Sequence, residues 1–373
     1  MIMEKDSKWY AVGNADEVPS PSLLVYPDRI NSNIRRMIAI AGDASRLRPH
    51  VKTHKTPEIV RMQMDLGVVR FKCATISEME MVAGCGARDI VLAYQPVGPN
   101  LEKFFSMKKA FPDTIISCVL DSEEVALQLS QMASERGLET GVWIDMNNGM
   151  NRTGISPGEG AEKLALKITE LPMLTLNGLH IYDGHIRQKD LKERQKICDD
   201  AFRPVAGLLE KIRNLSGKHP KVIAGGTSTF PVHAARKDIE CSPGTTTLWD
   251  YGYSSSFPDL GFLHAAVLFT RIISKPANGM ISLDLGHKAV ASEMPHPRVI
   301  FPGIGEYKLL IHSEEHMVIE TPEADRLRVG DTLYGIPWHI CPTVDRFDTV
   351  FVADKQRVVG HWDVTARKRK ITI

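Results

Sequence analysis

A chain of 373 residues exceeds the size at which a single hydrophobic core stops growing, so two domains are expected, one of them large enough for a barrel. Its 46 basic and 45 acidic side chains leave a formal charge of +1, which offers nucleic acid no broad basic face. The short run Arg367-Lys368-Arg369-Lys370 reads as a solvated chain end. Residues Met1 to Ser20 mix Glu4, Lys5, Asp6, Lys8, Asp16 and Glu17 with few apolar side chains, so no signal peptide is read there. No apolar run approaches the roughly 18 residues of a membrane span, and the expectation is a soluble, cytoplasmic protein with no membrane partner. Cys73, Cys85, Cys118, Cys198, Cys241 and Cys341 show no C-x-x-C pairing, which argues against a disulfide framework or a zinc knuckle.

From about residue 45 to 250, short β-type runs alternate with helical patterns. The predicted strands are Leu47-Thr53, Arg70-Thr75, Asp89-Gln95, Ile115-Asp121, Gly141-Met146, Leu176-Tyr182, Lys221-Gly225 and Glu240-Gly244. Between them fall helical stretches such as Thr56-Leu66, Ile76-Ala83, Glu123-Arg136, Glu159-Leu171 and Leu191-Leu215, the first opened by Thr56-Pro57. Strands separated by helices pair in parallel through crossovers, and eight of them suit an α/β fold of the (β/α)8 TIM type. After about residue 255 the texture changes to β-type runs joined by turns: His264-Ser274, Met280-Leu285, Glu306-His312, His316-Glu320, Asp331-Gly335, Thr349-Ala353 and Arg357-His361. The expected architecture is therefore a barrel domain over residues 20–255, followed by an antiparallel β-rich domain over 256–373 that the N-terminal residues 1–19 join.

The first predicted strand is unusually basic. Under the period-two rule Arg48, His50, Lys52 and His54 share one face, with Lys52 near the strand's C-terminal end, where barrel active sites are built. Crowding a lysine among cations favours its neutral amine, a nucleophile toward an aldehyde. An exposed basic edge strand would account for the charge equally simply.

The segment Arg48-Pro49-His50-Val51-Lys52-Thr53-His54-Lys55-Thr56 resembles the cofactor-lysine motif of the D-threonine aldolase and D-serine dehydratase family, relatives of alanine racemase. The resemblance runs over nearly the whole chain. It implies a fold-type III enzyme dependent on pyridoxal 5'-phosphate (PLP), with Lys52 carrying the coenzyme, His50 beside it, and a homodimer that places each site near the partner subunit. The stretch Ile144-Asp145-Met146-Asn147-Asn148-Gly149-Met150-Asn151-Arg152-Thr153-Gly154 is similar to a family segment whose arginine sits by the coenzyme ring; Arg152 is the implied contact to the phenolic oxygen. Ala224-Gly225-Gly226-Thr227-Ser228 and Ser242-Pro243-Gly244-Thr245-Thr246 follow the last two barrel strands, where barrels commonly cradle phosphate, which makes Gly226, Thr227, Gly244 and Thr245 candidate cofactor contacts.

Two further elements bear on the chemistry. In Pro337-Trp338-His339-Ile340-Cys341, alternate residues of an extended segment point the same way, so His339 and Cys341 could share one divalent ion. The resemblance assigns zinc to such a pair in the dehydratases and manganese or a similar ion to a histidine–acid pair in the aldolases. In His180-Ile181-Tyr182-Asp183-Gly184-His185, Tyr182 and His185 are the candidate acid/base groups, with Tyr182 also facing the coenzyme. An electron sink beside a Lewis acid serves a lyase acting on a D-β-hydroxy-α-amino acid. Retro-aldol cleavage to glycine and an aldehyde is the leading expectation, ahead of D-serine or D-3-hydroxyaspartate dehydration. An amino-acid racemase and a non-catalytic PLP-binding protein are the remaining alternatives.

Overall fold

The computed structural model describes residues 8–216 and 220–373, so residues 1–7 of the predicted N-terminal segment lie outside the described residues. The chain forms two compact units. One, here the β unit, takes the described residues up to Ile34, then Thr53–Ile59 and Thr245–Arg367; the other, the barrel unit, takes Arg35–Lys52, Val60–Gly244 and Lys368–Ile373.

A first strand, β1 (Ser22–Val25), belongs to the β unit, and seven strands of the barrel unit follow it. These are β2 (Arg70–Cys73), β3 (Asp89–Leu92), β4 (Ile115–Leu120), β5 (Thr140–Met146), β6 (Leu174–Ile181), β7 (Lys221–Ala224) and β8 (Ile239–Cys241). They pair in parallel in sequence order, as strands separated by helical crossovers must. Val91, Val119, Trp143 and Ile223, from four of these strands, form a fully enclosed apolar cluster, and the indole Nε1 of Trp143 donates to Ser117 Oγ at 3.1 Å. Each such side chain contributes roughly 2–3 kcal/mol on burial.

Seven of the eight predicted barrel strands form. The eighth, Leu47-Thr53, does not form as predicted: Leu47 bridges to Cys241 of β8 and His50 to Lys72 of β2, and Val51–Thr53 is a 3-10 turn. Backbone bonds from Arg48 N to Cys241 O (2.8 Å), His50 N to Pro243 O (2.9 Å) and Lys72 N to Pro49 O (3.0 Å) still link the two edge strands through this segment. Pro49 supplies no N–H for a regular ladder, which shortens the strand to two bridges. The expected helices are present at Pro57–Asp65, Ile76–Gly84, Glu123–Arg136, Glu159–Glu170 and Leu191–Ser216. Thr75 caps the second of these by accepting from Glu78 N at 3.1 Å, while Glu78 reaches back to Ala74 N at 2.6 Å. Helices at Pro27–Ala41 and Pro99–Ala110 were not anticipated.

The remaining strands are β9 (Ala266–Ser274), β10 (Met280–Leu283), β11 (Val299–Ile300), β12 (Lys308–His312), β13 (Met317–Glu320), β14 (Thr332–Pro337), β15 (Thr349–Asp354) and β16 (Arg357–Asp363). Their main order is β12-β13-β10-β9-β1-β15-β16, with β14 bonded to β9 and β11. The sheet is mixed: β1 runs antiparallel to β9 and parallel to β15, and the other pairs are antiparallel. Tyr10, Val12 and Val18 from the N-terminal segment pack with Leu24, Tyr26, Val267 and Phe269 in one core cluster. Among the described residues, no helix is long and apolar enough to cross a membrane.

Candidate functional site

In the barrel unit, Tyr182 lies one residue beyond β6 and gathers three cations. The Arg152 guanidinium stands 4.6 Å from its ring centroid, Lys52 Nζ 5.5 Å and Lys72 Nζ 5.8 Å. Space for the ring depends on glycine. A Cβ at Gly226 would stand 2.9 Å from Tyr182 Cε2, and one at Gly184 would collide with the phenol oxygen. The glycine loops after β6 and β7 thus seat an aromatic ring. They also meet the loop after β8, where Gly244 N donates to Thr227 Oγ1 at 3.2 Å.

Arg152 is held by a folded loop. Asn147 Oδ1 accepts from Gly149 N (3.2 Å) and Asn151 N (3.0 Å), Asn151 is left-handed at φ 53°, and Gly154 N donates to Asp121 Oδ2 at 2.7 Å. Gly154 itself has φ +98°, and a Cβ there would stand 2.6 Å from Asn147 N, so the loop can close only through glycine.

The predicted face of Arg48, His50, Lys52 and His54 is not formed, because the backbone turns at Val51–Thr53 and breaks the period of two. Arg48 is fully buried instead, with a two-point bond to Asp89 (2.8 Å each) and one to Glu240 (2.7 Å). His50 Nδ1 accepts from Lys52 N at 3.3 Å, which places it beside the lysine's backbone. His54 is buried in the β unit, where loss of solvation drops its pKa to about 3 and keeps it neutral. His185 is exposed, its Nε2 over Gly149 in the arginine loop.

Two charged networks beneath Tyr182 were missed from sequence. In the first, Asp145 of β5 bonds His180 Nδ1 of β6 at 2.7 Å and accepts from Thr153 Oγ1 at 2.8 Å, while His180 Nε2 lies 3.3 Å from Lys72 Nζ. Burial, reinforced by Lys52 and Arg152 and opposed by Asp145 and Asp183, brings the Lys72 pKa down to about 7. Burial and the neighbouring Lys72 likewise lower His180. An inward lysine at the third position of β2 and a histidine two residues before Tyr182 were the available signals.

In the second network, Asp183 accepts from Thr229 Oγ1 (2.5 Å) and pairs with His233 Nε2 (2.7 Å), with Cys198 Sγ 3.4 Å from that nitrogen. Arg236 lies 2.7 Å from His233 Nδ1. Asp183, Cys198 and His233 are all buried, with ligand-type atoms within 4.8 Å of one another, a set that could hold a metal ion. Burial pushes the Cys198 thiol up to about 12, so as it stands it is protonated.

The β unit holds the predicted metal pair, though not on an extended segment. His339 is the N-cap of a short helix, Ile340–Val344, and Cys341 lies in its first turn. The two side chains nevertheless bond each other. Burial opposes charge on both, but the contact prevails: with Asp250 and Glu293 assisting, the imidazole rises to about 9, and the thiol falls below its ordinary value. His339 Nδ1 meets Glu293 Oε1 at 2.5 Å, and Asp250 Oδ2 accepts from Ile340 N at 3.0 Å. Cys341 Sγ also lies 3.2 Å from Thr53 Oγ1 and 3.6 Å from Thr245 Oγ1, so the threonine expected to bind phosphate turns its hydroxyl to sulfur. Thr53 is the residue that follows Lys52 in the chain. An imidazole and a thiolate with two carboxylates close by form a donor set suited to zinc.

A parallel sheet linked edge to edge by a lysine-bearing segment, with cations gathered at the C-terminal ends of its strands, defines a PLP-dependent enzyme of fold type III. The chain belongs to the family described as "Alanine racemase, N-terminal domain", whose model matches residues 25–245. A model described as "Putative serine dehydratase domain" matches residues 265–353. The chain is 28% identical to a D-threonine aldolase of Arthrobacter sp. over 94% of its own length and 93% of the relative's. It is 27% identical to a 3-hydroxy-D-aspartate aldolase of Paracoccus denitrificans, covering 94% of this chain and 92% of that one. The crystal structure of a D-threonine aldolase from Filomicrobium marinum superposes with a TM-score of 0.87 at 26% identity, over 96% of this chain and 98% of the other.

Proposed function

We propose that this protein is a PLP- and divalent-metal-dependent lyase of D-β-hydroxy-α-amino acids, cleaving a D-threonine-like substrate to glycine and an aldehyde. The observation that carries the reading is the set of three cations around Tyr182, one of them the lysine of the family motif. The nearby carboxylates of Asp145 and Asp183 are already bonded within the protein, so the cluster suits an anionic phosphate ester. When bound, PLP supplies an electron sink for a bond broken at Cα.

In this reading Lys52 offers its amine to the coenzyme aldehyde, and Arg152 stabilises the phenolic oxygen. The glycine loop after β7, which carries Gly226 and Thr227, is the proposed phosphate cradle of the barrel unit. Tyr182 and His185 are the proposed proton-handling groups. His339 and Cys341 hold the ion, zinc by their donor chemistry, which would acidify the β-hydroxyl. The buried set Asp183, Cys198 and His233 is the alternative ion site. A homodimer in the cytoplasm completes the proposal.

Incubation with D-threonine decides the reaction: glycine and acetaldehyde, lost on chelation, are expected. Ammonia and a keto acid would establish dehydration, which the match to a serine dehydratase domain also supports. Formation of L-threonine would mean racemisation, and bound PLP without turnover of any hydroxyamino acid would favour the non-catalytic reading. Borohydride reduction and peptide mapping should place the coenzyme on Lys52. Cys341→Ala should remove the stoichiometric metal and the activity while sparing the coenzyme's visible band.

A further inference from the structure

Lys72 extends from β2 and is buried to 2% exposure, a costly position for a side chain that ends in charge. Among the described residues its close polar partner is His180, and this contact fixes the proton arrangement. Because the Asp145 carboxylate can only accept, His180 carries its hydrogen on Nδ1, leaving Nε2 as a lone pair that accepts from Lys72 Nζ. That bond uses one N–H and leaves the rest of the amine without a hydrogen-bond partner among the described residues. The charged groups around it are Lys52 from the 51–53 turn, Arg152 from the loop after β5, Asp145 of β5 and Asp183 after β6. Both carboxylates also bond within the protein, Asp145 to His180 and Thr153 and Asp183 to His233 and Thr229, and three cationic groups against two carboxylates leave an excess of positive charge beside Tyr182.

We propose that Lys72 is a coenzyme-facing cation, the third positive group with Lys52 and Arg152, receiving the anionic part of the bound ligand from inside the barrel beside Tyr182. This inference rests on the PLP reading above. The neutral His180 lets Lys72 be charged without an ion-pair partner of its own, so the ligand becomes its counter-ion. In the free protein, burial and the two neighbouring cations bring the Lys72 pKa to about 7 against the pull of Asp145 and Asp183. Its charge therefore contributes to anion binding below neutrality and fades above it. Arginine at the same position would remain charged throughout.

The test uses the full-length protein freed of coenzyme and pyridoxine 5'-phosphate, which has the ring and phosphate of PLP but no aldehyde. Its dissociation constant is measured by calorimetry at pH 6 and pH 9 for wild type, Lys72→Met and Lys72→Arg. Ionisation of the ligand's own phosphate cancels in each wild-type-to-variant ratio. Lys72→Met should weaken binding about tenfold at pH 6 and less than about twofold at pH 9. Lys72→Arg should match wild type at pH 6 and bind about tenfold more tightly at pH 9, a gain that does not depend on the methionine variant folding. Equal affinities at pH 6 for wild type and Lys72→Met, or an equal loss at both pH values, would overturn the proposal, the second outcome marking a packing role. Borohydride mapping with PLP on the same wild-type sample separates the two readings: an adduct away from Lys52 defeats the coenzyme assignment, whereas pH-independent binding defeats only the role of Lys72.

Discussion

Two aspartate–histidine pairs lie side by side in the barrel unit, each 2.7 Å long and each with a cation near the ring's other nitrogen. Asp183–His233 is closed. Thr229 takes the second carboxylate oxygen, Arg236 occupies the far nitrogen, and Arg236 is itself tied to Asp199. Asp145–His180 is open, because its far nitrogen meets the buried Lys72, whose Nζ lies 5.8 Å from the Tyr182 ring centroid and has no second hydrogen-bond partner among the described residues. The same two residue types at the same separation thus serve as a brace in one case and as part of a site in the other. What differs is whether every donor and acceptor is already satisfied.

The contrast can be broken most severely at the brace. Asp183→Ala strands His233 and Thr229 in a fully buried setting and should cost about 3–5 kcal/mol in urea denaturation. A loss below about 1 kcal/mol would mean that the closed pair does not hold the loop that carries Tyr182. At the open pair, Asp145→Asn should lower kcat/KM about 10- to 100-fold with a smaller stability loss than at Asp183. An inverted ranking, with Asp145 the more important for folding, would erase the distinction.

Cys198→Ser sharpens the comparison through metal content. If the closed pair is a brace, the ion should remain at wild-type stoichiometry and activity should stay within about threefold; loss of the ion would move the metal centre to Asp183, Cys198 and His233. A pH-dependent prediction concerns His54, a buried histidine with no carboxylate partner among the described residues. Its folded-state pKa of about 3 lies below the ordinary 6.5, so between those values the unfolded chain binds more protons. Stability should therefore decline as pH falls from about 6.5 toward 3. His54→Leu should flatten that decline, as read from urea midpoints at pH 7, 5.5 and 4.

The parallel sheet was legible because each of its strands is a short apolar run flanked by a helical pattern, and such alternation admits few topologies. Lys52 and Arg152 stood out through local motifs, and both lie at the Tyr182 ring. The errors arose where periodicity was extended too far. Carrying the period of two past Pro49 placed Arg48 and His54 in a shared face that the 3-10 turn dissolves, and reading His339 to Cys341 as extended missed the helix that starts at Ile340. Lys72 and His180 went unremarked because neither belongs to a local pattern. They become neighbours only across the barrel, from β2 and β6, separated by 108 positions in the chain.

The amino-acid sequence by itself determined the order of elements, the change from alternating to β-rich texture and the lysine motif, because these depend on residues within a few positions of one another. Tertiary structure alone decided which buried charges meet, how each histidine holds its proton and which amine is shifted toward neutrality. Those properties depend on burial and on distances of a few ångströms between residues far apart in the chain, and no local pattern encodes them.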